Sequence, residues 1–161
     1  MWAGINPNVT ESPSEIIMSY GVNYTREKLG LDTVEETVGA LCRLHPSAHN
    51  YFRYAVAKKT MEFLHRVDLF VEAGYLVGES DEKEIPHQDP LTIVVAVKRK
   101  TAALNSLVDE LSAGLLAEYK RLVGDAAADL QVFVLFELMD WQDLQLRQRL
   151  LFDAHLLIAG N

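Results

Sequence analysis

Three cations and a hydroxyl, Lys98-Arg99-Lys100-Thr101, stand where an apolar, β-branched run gives way to a helical pattern. In open α/β sheets, anions gather at the carboxyl ends of parallel strands, where the following helix points free N–H groups at them. Lys98, Lys100 and Thr101, with the amides after Thr101, are therefore the candidate site for a small anion such as a phosphate or carboxylate. Strand alternation sends Lys98 and Lys100 to one face and Arg99 to the other, if the strand extends that far. The competing reading is that charged residues end an aggregation-prone strand. It is the stronger of the two, because exposed cations beside a helix N-terminus cost only about a few tenths of a kcal/mol. Neither GxGxxG nor GxxxxGK[ST] occurs, which argues against a dinucleotide or P-loop site.

Other reactive side chains are scattered. Cys42, His45 and His49 share a spacing that would place them on one face of a continuous helix, and such ligands suit zinc. Pro46 interrupts that helix, and His65 would lie about 24 Å from His49 along the next one. Cys42 with His45 as its base would make a nucleophile, but Cys42 also belongs to an apolar stripe, where a free cysteine packs as a small hydrophobe. His87, Asp89 and the acids of "ESDEKE" read as a solvated loop. Trp2, Tyr24, Tyr51 and Trp141 are candidate interface anchors, since aromatics concentrate binding energy in protein contacts.

The elements that must position these groups change character along the chain. Ser12-Pro13-Ser14-Glu15 is a capping box with proline at the first helical position, and Gly21 reads as a stop, with a short turn or helix up to Gly30. Asp32-Thr33-Val34-Glu35 starts a second helix with Val34, Val38, Leu41 and Cys42 on one face, ending near His45-Pro46. Ser47 caps a third helix to about Arg66 whose core stripe is Phe52, Val56, Phe63 and Val67. The period then becomes two. Leu69, Val71, Ala73, Tyr75 and Val77 alternate as in a half-buried strand, with Gly74 a candidate bulge, and residues 79 to 90 form a charged loop. "LTIVVAV", 91 to 97, is apolar on both faces and predicts a central strand. A helix over 102 to 123 stopped by Gly124, then a strand over 130 to 138, predicts a right-handed βαβ crossover with parallel strands. Asp140 caps a helix to about Leu150, and "HLLIAG" predicts a short last strand.

This order resembles the minimal nucleotidyltransferase layout over roughly residues 50 to 160. Val77-Gly78-Glu79-Ser80 stands where that family has a Gly-Ser turn, and Asp89 where its metal-binding aspartates begin, with Pro90-Leu91 in place of the second. The resemblance implies phosphoryl or nucleotidyl transfer, Mg²⁺ held by Asp89 as a lone metal ligand, and Lys98 neutralising phosphate charge. A second layout resembles restriction-endonuclease-like nucleases, with Lys98 as the catalytic lysine and Ala96 where an acidic ligand belongs.

Composition bounds the rest. The 161 residues carry 23 acidic and 15 basic side chains, a net charge of −8, and that field repels nucleic-acid phosphates and anionic lipid. A hydrophobic fraction of 49% and a charged fraction of 24% fit an ordinary globular domain. The start of the chain lacks a leader pattern, no run is long enough to span a bilayer, and one cysteine forms no internal disulfide, so the expectation is a cytoplasmic protein. The sequence thus predicts one α/β or α+β domain, with helices over 12 to 66, then a mixed sheet of about four strands over 67 to 161. The expected function is non-catalytic binding of another protein or a small anionic ligand, with no cofactor, no membrane partner and scope for a homo-oligomer. Phosphoryl transfer with Mg²⁺ is the alternative.

Overall fold

The computed structural model describes residues 11–77, 89–146 and 155–159. The chain is α+β. Helices α1 (Pro13–Leu29), α2 (Val34–Cys42) and α3 (Pro46–Val67) come first, followed by strands β1 (Val71–Val77) and β2 (Leu91–Val97), helix α4 (Ala102–Val123), a 3-10 turn at Gly124–Ala127, strand β3 (Val134–Met139), helix α5 (Trp141–Leu146) and strand β4 (His155–Ala159). The sheet order is β3-β2-β1-β4. β1 is antiparallel to both β2 and β4, whereas β2 and β3 are parallel, in a register that pairs Leu91 with Val134 and Ala96 with Met139. Parallel neighbours need a long connection, and α4 supplies it.

Local chemistry explains the helix ends. Ser12 Oγ accepts from Glu15 N at 3.2 Å and Glu15 Oε1 from Ser12 N at 3.5 Å, a reciprocal cap that satisfies two otherwise orphaned donors. Thr33 Oγ1 and Thr101 Oγ1 accept from Glu36 N and Leu104 N without the return bond, each at 3.1 Å. Helix α3 departs from expectation. Its cap is His45, whose Nδ1 accepts from Ala48 N at 3.3 Å, so Ser47 lies already inside the helix. Leu44, at φ 58, makes the preceding turn.

Gly21 does not stop α1, which continues to Leu29 and ends at Gly30 with φ 67. The glycine at 21 is a packing device. A Cβ there would lie 2.9 Å from both Phe52 Cε1 and Val56 Cγ2 of α3, so only glycine lets the two helices approach this closely. Gly114 serves α4 likewise, since a Cβ would run into the Ser14 hydroxyl of α1. Gly74 leaves room for Met61 of α3 over β1.

One core joins these layers. From β2 it takes Leu91, Ile93, Val95 and Val97; from α4, Leu104, Val108, Leu111, Leu115 and Tyr119; from α3, Phe52, Val56, Met61 and Leu64. Every β2 residue except Thr92 is buried, as its central position requires. The ring of Phe133 stacks on Tyr119 at 4.1 Å, and Phe52 lies 5.8 Å from Tyr119. Outside the rings, Ser112 Oγ donates to Val134 O at 2.8 Å and ties α4 to β3.

Two expected faces are corrected. β1 begins at Val71, with Leu69 exposed, and its buried residues are Val71, Gly74 and Leu76. An irregularity between Val71 and Ala73 shifts the pairing with β2, and one shifted residue reverses which side chains face the core. A second irregularity falls at Gly74/Tyr75, against β4. On α3, Phe52 and Val56 are buried as expected, but Val67 ends the helix in solvent. β3 starts at Val134, four residues later than the apolar run suggests, although Leu130 and Phe133 still enter the core. The expected charged loop lies mostly outside the described residues, as does the expected end of α5 near Leu150.

Candidate functional site

The basic corner sits at the carboxyl ends of β2 and β3, as the parallel pairing dictates. All its groups but the Lys98 side chain are already engaged. Lys98 N donates to Phe70 O at 2.8 Å, ending the sheet, and the Arg99 guanidinium lies 4.6 Å from the Phe70 ring centroid. Lys100 Nζ meets Asp143 Oδ2 of α5 at 2.6 Å. That carboxylate also accepts from Asp140 N at 3.1 Å, while Asp140 Oδ1 accepts from Asp143 N at 2.9 Å. The Lys100 hydrogen bond, then the Asp140 amide, hold the Asp143 carboxyl below its usual range; the same bond raises the Lys100 ammonium above its ordinary value. Thr101 has its hydroxyl on Leu104 N. Lys98 is exposed, and among the described residues no carboxylate pairs with it. Its alternation with Lys100 does not arise, because the strand stops at Val97.

Asp89 lies at the other end of β2. It is exposed, and its backbone carbonyl accepts from Arg53 Nη1 at 2.9 Å. The whole length of β2, about 20 Å, lies between it and Lys98. Glu137 is in register with Val94, midway along the strand. These groups do not converge on one cleft; Gly78, Ser80 and His87 lie outside the described residues. Arg53 itself is 1% exposed, a buried cation that sequence periodicity does not single out.

The Cys42–His45–His49 grouping also disperses. His45 caps α3, the buried His49 donates from Nε2 to Leu41 O at 3.2 Å, and the Cys42 thiol faces Val123 O at 3.7 Å. Cys42 is exposed, so the packed-core expectation for it is overturned: its place at the end of α2 carries the thiol past the stripe. Among the described residues no three His, Cys, Asp or Glu side chains are grouped to hold a metal ion, and no helix is long and apolar enough to cross a membrane.

A different cluster does form, on the outer side of the α1–α3 crossing. Because Gly21 brings the helices together, Tyr20 and Tyr24 of α1 meet Tyr51 and Tyr54 of α3. Tyr24 has ring centroids at 6.2 Å from Tyr20, 6.4 Å from Tyr51 and 6.0 Å from Tyr54. All four rings are half-buried. Lys59 Nζ stands 5.0 Å from the Tyr20 centroid and Lys28 Nζ 5.6 Å from that of Tyr24. Burial, and secondarily the Glu62 carboxylate, raise the Tyr20 phenol above its usual value, while Lys58 acts in the opposite sense. Tyr24 and Tyr51 are among the sequence's candidate anchors; for Tyr20 and Tyr54 the signal in the sequence is their i,i+4 and i,i+3 spacing to those two. Trp141 is 70% exposed on α5, away from this group, and Trp2 lies outside the described residues.

Among the described residues a groove of about 480 Å³ between α1, α2 and α4 lies open beside Met18, Val34 and Leu122, where Arg121 is already paired with Glu118 at 2.9 Å. The chain matches no protein-family model, no curated protein and no solved structure.

Proposed function

We propose that this protein is a non-catalytic binding protein that engages another protein through the tyrosine face of α1 and α3. The observation that carries the reading is the cluster itself: four half-buried rings from two helices, with lysine ammoniums over two of them. Tyrosine offers a large, rigid, amphipathic contact area at low entropic cost, and such rings dominate interface energetics. An exposed thiol at Cys42 is in keeping with a reducing, cytoplasmic setting.

On this reading the corner at Lys98, Lys100 and Thr101 is a junction that fastens α5 to the strand ends. A small anion bound there would have to take Lys100 from Asp143 and Thr101 from Leu104 N. Transfer chemistry with Mg²⁺ has less support still, because the whole length of β2, about 20 Å, lies between Asp89 and Lys98. Titrating phosphate and nucleotides, with and without Mg²⁺, into the native chain and a Lys98→Ala, Lys100→Ala variant tests the junction. A thermal shift that the variant loses would restore the anion site.

The docking face is tested by quantitative affinity capture with the native chain and with a Tyr24→Ala, Tyr51→Ala variant of matched helicity. We expect the variant to lose about tenfold or more of the captured partner; equal recovery would sink the proposal. Sedimentation equilibrium in parallel reports whether a second copy is the partner.

A further inference from the structure

Resting on that docking face, we propose that its partner is an acidic peptide segment in which carboxylates alternate with aromatic or aliphatic side chains. Lysine cations crowd the rings. Lys59 and Lys28 stand over Tyr20 and Tyr24, and Lys58 lies close enough to Tyr20 to act on its phenol. An ammonium carries three donors, and a ring face attracts the charge without saturating them. Lys59 shares its charge with Glu62 at 3.6 Å. Among the described residues, no carboxylate pairs with Lys28 or Lys58. The face therefore presents cations with unused donors beside apolar ring surface, a combination that receives a carboxylate and its hydrophobic neighbour together.

The rest of the molecule sharpens this choice. The whole chain carries a net charge of −8, so an acidic segment is repelled at long range and drawn to a face where three lysines stand against Glu62. Complementarity of this kind selects orientation and speeds encounter. A nucleic acid would also offer stacking and negative charge, but its dense phosphates meet the same repulsive field with only three lysines to neutralise them.

The test is fluorescence anisotropy of a labelled glutamate–tyrosine copolymer with the full chain, alongside polyglutamate, a lysine–tyrosine copolymer and oligothymidylate. The glutamate–tyrosine copolymer should bind, more tightly than polyglutamate and less tightly as salt rises. Reversing Lys28→Glu with Lys58→Glu should weaken it about tenfold or more, with the far-ultraviolet spectrum unchanged. No binding of that copolymer, or binding indifferent to the reversals, overturns the proposal. The two levels separate cleanly. If the basic copolymer or the oligonucleotide binds instead, and Tyr24→Ala with Tyr51→Ala abolishes it, the acidic class falls while the face stands. If the acidic copolymer binds and ignores the tyrosine substitutions, the face itself falls.

Discussion

At the carboxyl end of β2 a lysine meets a carboxylate and a threonine gives its hydroxyl to a helix cap; across the α1–α3 crossing, lysines rest on ring faces instead. The two regions draw on the same residue types, but the first ties Lys100 to a carboxylate, whereas the second sets its lysines over half-buried rings. A run such as Lys98-Arg99-Lys100 is conspicuous in a sequence because its charges are adjacent. Adjacency says nothing of what each side chain will meet. Availability follows from packing, and at the α1–α3 face it follows from one glycine.

Gly21→Val is therefore the sharpest way to break the comparison. The added branches would enter Phe52 and Val56, already 2.9 Å from the position of a Cβ. Overpacking of this kind costs about 1–3 kcal/mol, and in a chain of this size each kcal/mol lowers Tm by roughly 2–4 °C. Calorimetry should show that loss, and anisotropy should show weaker binding of the glutamate–tyrosine copolymer, while Lys100 and Asp143 remain paired. An unchanged Tm would mean that the crossing is looser than the geometry implies.

The tyrosines themselves differ in a measurable way. Tyr119, 1% exposed, has its phenol pushed up to about 12 by burial, against the opposing influence of Arg53. Unfolded chains release that proton near 10. The folded state thus holds it through a window in which the unfolded state has lost it, so the contribution is complete below pH 10 and disappears as pH rises towards 12. Two units correspond to about 2–3 kcal/mol. Denaturant melts between pH 9 and 12 should fall more steeply for the native chain than for Tyr119→Phe, and tyrosinate absorbance should show the last phenol disappearing with that variant. Equal slopes would contradict the burial argument.

Much of the fold was legible because it depends on near neighbours. Ser12 and Thr33 announce helix starts by their own reach to the third amide, Gly124 announces a stop, and a run at 91–97 that is apolar on both faces marks the central strand. Gly21 defeats such reading, since a glycine that ends a helix and one that admits a neighbouring helix look alike in sequence. The face of β1 was hidden for a related reason: the irregularity near Val71 is a property of its pairing with Val97 and Ala96, not of its own residues. The site was less legible than the fold. Lys100 and Asp143, or Tyr24 and Tyr51, are brought together only by topology, and spacing within one element cannot reveal a pair from two.

Hydroxyls repeat the contrast inside the core. Thr25 Oγ1 donates to Gly21 O at 2.7 Å and Thr37 Oγ1 to Thr33 O at 3.0 Å. Thr60 Oγ1, wholly buried, has no hydrogen-bond partner among the described residues. A buried polar atom without a hydrogen bond costs about 1–3 kcal/mol, whereas valine has nearly the same shape. Thr60→Val should raise stability by about 1 kcal/mol, or roughly 2–4 °C in Tm. A lower Tm would show that the hydroxyl is engaged after all.

The smallest effect belongs to the conspicuous corner. Lys100 and Asp143 remain 45% and 33% exposed, and ion pairs in contact with water add little and are screened by salt. Lys100→Ala should lower Tm by less than Thr60→Val raises it, and by less again at high salt. The pH dependence has two limits. Asp143 is held below the ordinary carboxyl range, so its contribution is complete above that range and is lost as pH falls through its lowered value. Lys100 is held above 10.5, so its contribution is complete below 10.5 and is lost as pH rises through its raised value. Between these limits the latch on α5 should be insensitive to pH, and Trp141, exposed on that helix, reports it. With Trp2 replaced by phenylalanine so that Trp141 alone emits, fluorescence constant across neutral pH, altered on acidification and unresponsive once Lys100→Ala is added, is the expected pattern. If phosphate at neutral pH reproduced the acid change, Asp143 would be standing in for a ligand, and the corner would rank with the tyrosine face as a site.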